Sequence, residues 1–131
     1  MMLKGVETMI KWLNVKAKNG VASLYNNSIT LNTTAMYPFE SAYMIQVGID
    51  DNSNIVIQPL TKAVVESGAL DESCLLKIER HKSFARISSV ALMKQIGDVL
   101  HLTLSKNPIQ YETSWDSEEN ILTILVKGGF K

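Results

Sequence analysis

Residues 77–86 carry Lys77, Arg80, His81, Lys82 and Arg86 against a single acid, Glu79. Guanidinium and ammonium groups of this kind contact phosphates, and a β-ribbon that carries them can be seated on a duplex. Each phosphate neutralised releases counterions, so such binding is sensitive to salt. On an extended strand Lys77 and Glu79 point one way while Ile78 and Arg80 point the other. A turn at Lys82-Ser83 is therefore needed to bring Arg80, Lys82 and Arg86 near one hairpin. Lys77, Arg80, Lys82 and Arg86 are the candidate nucleic-acid-binding residues. The competing reading is an ordinary hairpin whose charges serve only solvation.

Other chemistry finds less support. His81 and His101 are the only histidines, and neither has an acidic or cysteine partner at metal-ligand spacing, so structural roles are expected for both. No nucleophile elbow and no glycine-rich phosphate loop occurs. The acidic pairs Asp50-Asp51 and Glu118-Glu119 fall in expected hairpin turns, which favour such residues. Tyr111, Thr113 and Trp115 share one face of a strand, suited to a core, a dimer interface or base stacking. The lone cysteine, Cys74, precedes Leu75-Leu76 and is expected to be a small buried thiol. No catalytic residue, metal, cofactor or small-molecule substrate is implied, and the chain is expected to be non-enzymatic.

Charge over the 131 residues sums to zero, with 13 basic and 13 acidic side chains, so a nucleic-acid role must rest on local asymmetry. That asymmetry is present. Lys4, Lys11, Lys16 and Lys18 face only Glu7, and the acids gather at Asp50-Asp51, Asp71-Glu72 and in residues 116–119. Leu, Ile and Val are plentiful enough for a core. With no secretory apolar region and no long apolar run, a cytoplasmic protein without membrane association is expected.

The elements that must position the basic stretch are mostly short strands. Leu3, Val6, Ile10 and Leu13 recur at helical spacing, but Leu13, Val15 and Ala17 also alternate, so helix and strand stay open there. Asn19-Gly20 reads as a type I′ hairpin turn leading to a strand over residues 21–25. Residues 26–28 turn the chain into a short strand ending at Asn32. Asn32 or Thr33 then caps a short helix with Ala35, Met36 and Phe39 on one side, kept short or 3₁₀-like by Pro38. Residues 43–49 and 55–57 form a hairpin around Asp50-Asp51-Asn52-Ser53-Asn54, and Pro59 ends it. A helical turn follows over residues 61–67, with Gly68 as its C-cap. Residues 75–80 and 84–87 are strands. Ser88 or Ser89 caps a second helix carrying Leu92, Met93 and Ile96 and ending at Gly97-Asp98. Strands over residues 99–104, 109–115 and 121–126 close the chain.

The pattern of short strand, polar cap, helix and strand thus occurs twice. Residues 29–39 lead into the alternating run Ile45-Gln46-Val47-Gly48-Ile49, and residues 85–96 lead into Leu100-His101-Leu102-Thr103-Leu104. This layout, over about residues 21–60 and 75–126, resembles the swapped-hairpin barrel of the AbrB and MraZ families of bacterial DNA-binding regulators. Of that family's Gly-Arg step and pre-helix Pro, the second copy keeps only Arg86, and the first copy keeps none. Gly97-Asp98-Val99 is similar to the Gly-Asp-x-Val step after the family's helix. The resemblance implies two units that interlock their hairpins, across a dimer or within one chain, because a lone unit leaves sheet edges unpaired.

The expected fold is α+β, mostly β, as one domain over residues 1–131. It is built from two related β-β-α-β-β halves, 21–68 and 69–131, that form a swapped-hairpin-like barrel or two interlocked small sheets. The leading functional reading is a small DNA-binding, transcriptional-regulator-like protein, with duplex DNA and further copies of the chain as partners. The alternative is a protein-interaction or structural module of the same fold without nucleic-acid contacts, favoured by the neutral charge and the missing Gly and Pro.

Overall fold

Alternation of small apolar and polar side chains dominates the chain, and in the computed structural model, which describes residues 19–126, it produces nine antiparallel strands among the described residues. They are β1 (Val21–Leu24), β2 (Ser28–Asn32), β3 (Met44–Ile49), β4 (Ile55–Leu60), β5 (Leu75–Leu76), β6 (Glu79–Arg80), β7 (Phe84–Ser88), β8 (Ile109–Asp116) and β9 (Ile121–Ile124). The helical spacing at Leu3, Val6, Ile10 and Leu13 lies outside the described residues. The fold is mostly β with few helices.

The sheet runs β5-β3-β4-β9-β8-β1-β2-β7-β6. Strand β8 divides it. Its first half pairs with β1 (Leu24 opposite Ile109), and its second half pairs with β9 (Thr113 opposite Ile124). The two outermost strands, β5 and β6, are joined in sequence by Lys77 and Ile78 alone. In a flat sheet the outermost of nine strands would lie about 38 Å apart at the usual strand spacing. Three Cα–Cα steps span at most about 11 Å. The sheet must therefore curl until its edges meet at that link, where Ile78 is buried against the core.

All the hairpins are interleaved. Outside its own hairpin, β1 pairs with β8, β2 with β7, β3 with β5 and β4 with β9. The strands of residues 21–60 thus share one sheet and one core with those of residues 75–124. Inward positions fill that core: Ala22, Leu24, Ile29 and Leu31 from one side, Ile45, Ile55, Ile57, Leu122 and Ile124 from the other. Tyr111 packs against it, and Trp115 meets Phe39 edge-on at 6.2 Å while staying exposed, so the shared face of β8 points to the core but is only partly covered.

Three α-helices lie among the described residues. α1 (Thr33–Met36) is capped by Asn32, whose Oδ1 accepts the Ala35 N–H at 3.0 Å, and a 3₁₀ turn at Tyr37–Phe39 carries Pro38. α2 (Lys62–Glu66) is capped by Thr61 and buries nothing. α3 (Val90–Leu100) is capped by Ser89 and buries Met93, Ile96 and Leu100.

The sequence expectations fail at five places. α3 runs past Gly97-Asp98 and ends at His101, which adopts the left-handed conformation (φ 58°), so residues 99–104 are not a strand. The apolar stripe continues to Leu100, and the bare Gly97 lets the returning chain approach: a Cβ there would lie 3.1 Å from the Leu102 carbonyl oxygen. Asn19-Gly20 does not make a type I′ turn, because Gly20 has no positive φ and both edges of β1 are taken by β2 and β8. Residues 75–80 are divided between the two sheet edges. Pro59 lies inside β4, beyond the end of its pairing with β9 at Ile57, where no N–H is required. Cys74 is exposed, in a 3₁₀ turn at Glu72–Cys74, because the pairing of β5 begins only at Leu75. Among the described residues no helix is long and apolar enough to cross a membrane.

Candidate nucleic-acid interface

The basic stretch folds as the β6–β7 hairpin. The His81 N–H donates to the Phe84 carbonyl at 2.8 Å and closes the turn that holds Lys82. Along β7, Ala85 and Ile87 are buried while Phe84, Arg86 and Ser88 take the outer positions. The His81 ring stacks on Phe84 at 4.4 Å, and the Arg86 guanidinium lies 5.4 Å from the centre of the same ring. Such a contact restrains an exposed guanidinium without neutralising it.

The four candidate residues are not gathered. Arg86 projects outward from the middle of β7. Lys82 is exposed in the turn of the same hairpin. Arg80 stands opposite the fully buried Ala85, and its Nη1 reaches the other side of the sheet to donate to the carbonyls of Ala42 at 3.1 Å and Phe39 at 3.4 Å. Lys77 is exposed in the link between β5 and β6. The Glu79 carboxylate, opposite Arg86 in register, sits 3.7 Å from His81 Nε2, and Arg86 has no ion-pair partner among the described residues.

Arg86 instead borders an open groove of about 620 Å³ between β2, β7 and the start of α3. Its floor is set by register: Thr30 stands opposite Arg86, and Ser28 stands opposite Ser88. These four outward residues form two adjacent cross-strand pairs, each with Cβ atoms about 5 Å apart. Tyr25, Asn27, Ser89 and Val90 line the same end, beyond the Ser28–Ser88 pair, where the Ser89 N–H donates to the Asn27 carbonyl at 3.1 Å. The buried Ser28 hydroxyl donates to Asn27 Oδ1 at 3.2 Å, and Ser89 Oγ is taken by the Leu92 N–H at 3.0 Å. The Thr30 and Ser88 hydroxyls have no side-chain partner among the described residues.

Thr30 and Ser88 do not stand out in the sequence. The polar-apolar alternation of residues 28–32 and 84–88 shows which residues face outward, but only the β2–β7 register places the two hydroxyls around Arg86. The polar face continues across the sheet through Ser23, opposite Thr30, and Gln110, whose side-chain amide donates to Ser23 Oγ at 3.2 Å.

Two groups elsewhere have shifted acidity. Hydrogen bonds from the Ser73 hydroxyl and then the Ser73 N–H hold the Asp71 carboxyl below its ordinary range, and burial pushes the Tyr111 phenol up. Neither belongs to the groove. No protein-family model, no curated protein and no solved structure matches the chain.

Proposed function

We propose that this protein is a non-enzymatic DNA-binding module, regulator-like in architecture, that meets the phosphate backbone of a duplex with the outer face of β7 and the turn before it. The observation that carries this reading is Arg86: an outward guanidinium, restrained against Phe84, without an ion-pair partner among the described residues, and beside the Thr30 and Ser88 hydroxyls. Lys82 in the adjoining turn adds a second cation. Arg80 is a structural residue in this reading.

The strand order supports the resemblance to duplicated swapped-hairpin barrels. Closed through Lys77 and Ile78, and with β5 and β6 taken as one strand, the order is a ring β1-β2-β7-β6-β3-β4-β9-β8. Exchanging β1 with β6, β2 with β7, β3 with β8 and β4 with β9 reproduces the same ring read in the opposite direction. The same exchange carries α1, between β2 and β3, onto α3, between β7 and β8. One chain then supplies both interlocking units, and any homo-oligomer forms through surfaces rather than shared strands. Sedimentation across a wide concentration range tests that point.

The DNA reading predicts salt-sensitive binding of a duplex that is lost in the Arg86→Ala, Lys82→Ala double variant and kept in Arg80→Ala at temperatures where that variant is folded. Binding indifferent to salt and to the double variant would contradict it. The alternative, a protein-interaction module, is favoured by one further, structural feature: Ile49 and Val99 are exposed beside Val47 and Leu92, along a mainly apolar cleft between β3 and α3.

A further inference from the structure

We infer that the groove between β2, β7 and α3 is a binding site for a phosphate ester, with the phosphoryl group held by Arg86, Thr30 and Ser88. The inference deepens the proposed function and rests on that reading for the role of Arg86, but it assigns a discrete ligand site to this groove. The guanidinium supplies a fork of N–H donors, and the Thr30 and Ser88 hydroxyls supply two more from adjacent positions. Donors on three neighbouring side chains suit the several oxygens of a tetrahedral phosphoryl group better than a planar carboxylate, for which the fork alone suffices, provided the guanidinium swings from Phe84 toward the hydroxyls.

The surroundings fit the rest of an ester. At about 620 Å³ the groove is far larger than an inorganic phosphate needs. The end beyond the Ser28–Ser88 pair is the less polar one: Tyr25 offers a half-buried ring there, and Val90 an exposed apolar side chain. Both suit the organic part of the ligand. The N-terminus of α3 borders the groove, with its Leu92 N–H already bonded to Ser89 Oγ. The same chemistry arises from a free phosphate monoester or from a phosphodiester of a nucleic acid.

The test is a titration of the full chain, followed by backbone amide NMR, with thymidine, thymidine 5′-monophosphate and a short DNA duplex. The monophosphate is expected to move the Thr30, Arg86 and Ser88 signals, and thymidine to leave them in place. Arg86→Ala is expected to weaken the monophosphate about ten- to a hundred-fold, the usual effect of losing a charge-assisted contact. Because Arg86 is exposed, its thermal melt should be unchanged. Thr30→Val with Ser88→Ala is expected to weaken binding several-fold with the cation intact. If the duplex binds through Arg86 but the monophosphate does not, the DNA reading stands and the ester site is overturned. If the monophosphate binds and the duplex does not, the ester site stands and the DNA reading falls. Equal responses to thymidine and its monophosphate would also overturn the site.

Discussion

Arg80 and Ala42 are tied across the fold: the Arg80 guanidinium, on an edge strand, donates to the Ala42 carbonyl at 3.1 Å, just past the 3₁₀ turn that follows α1. A second donation, to the Phe39 carbonyl at 3.4 Å, satisfies another oxygen at the end of the same turn. Arg80→Ala is expected to lower stability by about 1–2 kcal/mol, the range for charge-assisted bonds in a partly exposed setting. Arg86→Ala should leave the denaturation midpoint in place. Chemical denaturation of both variants separates the structural arginine from the surface one.

Asn32 ties three segments together with one side chain. Its Oδ1 accepts the N–H groups of Val21 and Ala35, each at 3.0 Å, and its Nδ2 donates to the Asn19 carbonyl at 3.0 Å. Asn32→Ala removes a helix cap and strands a donor at the start of β1, for an expected loss of about 1–3 kcal/mol. Asn32→Asp keeps the acceptor and loses the donor, so its midpoint should fall between those of wild type and the alanine variant.

Much of this was open to reading in the sequence, and the reason is locality. The Asn32 and Ser89 caps, the shortening at Pro38 and the Asp50 turn each depend on a few neighbouring residues. What escaped was set by distant pairing. Leu75-Leu76 and Glu79-Arg80 look like one strand because nothing local marks the point where the chain passes from one sheet edge to the other. Leu100, Leu102 and Leu104 alternate as a strand would, yet Leu100 completes the helix stripe of Met93 and Ile96. At the candidate site, Arg86 was visible as a charge, whereas Thr30 and Ser88 became its neighbours only through register. Arg80 had the same charge signal as Arg86 and a different role, decided by the face of the hairpin on which it fell.

Gly20 is pressed against Thr113, whose N–H donates to its carbonyl at 2.9 Å. A Cβ at position 20 would collide with Thr113 Oγ1 and lie 3.3 Å from Ala35 Cα. The β-branched Thr113 has little rotamer freedom to yield. Gly20→Ala is expected to cost about 1–3 kcal/mol. Adding Thr113→Ala should recover part of that loss, which a double-mutant cycle of denaturation midpoints measures.

Tyr111 should make the fold sensitive to alkali. Burial raises its folded pKa above the unfolded value of about 10, because the ionised phenol is poorly solvated beside the core. The folded form therefore holds the proton longer. Its contribution to stability is complete below the unfolded pKa and is lost as pH rises through the folded one. Spectrophotometric titration should show a late tyrosine component that is absent in Tyr111→Phe. In that variant the alkaline loss of stability should be smaller.

The dependence of duplex binding on salt, measured for wild type and Arg86→Ala, tests the phosphate contact directly. A phosphate contact by Arg86 predicts that the log–log slope falls by about 1 in the variant, with affinity weakened uniformly across duplex sequences. Identical slopes and affinities would rule that contact out and move the function of this fold away from Arg86 and its groove.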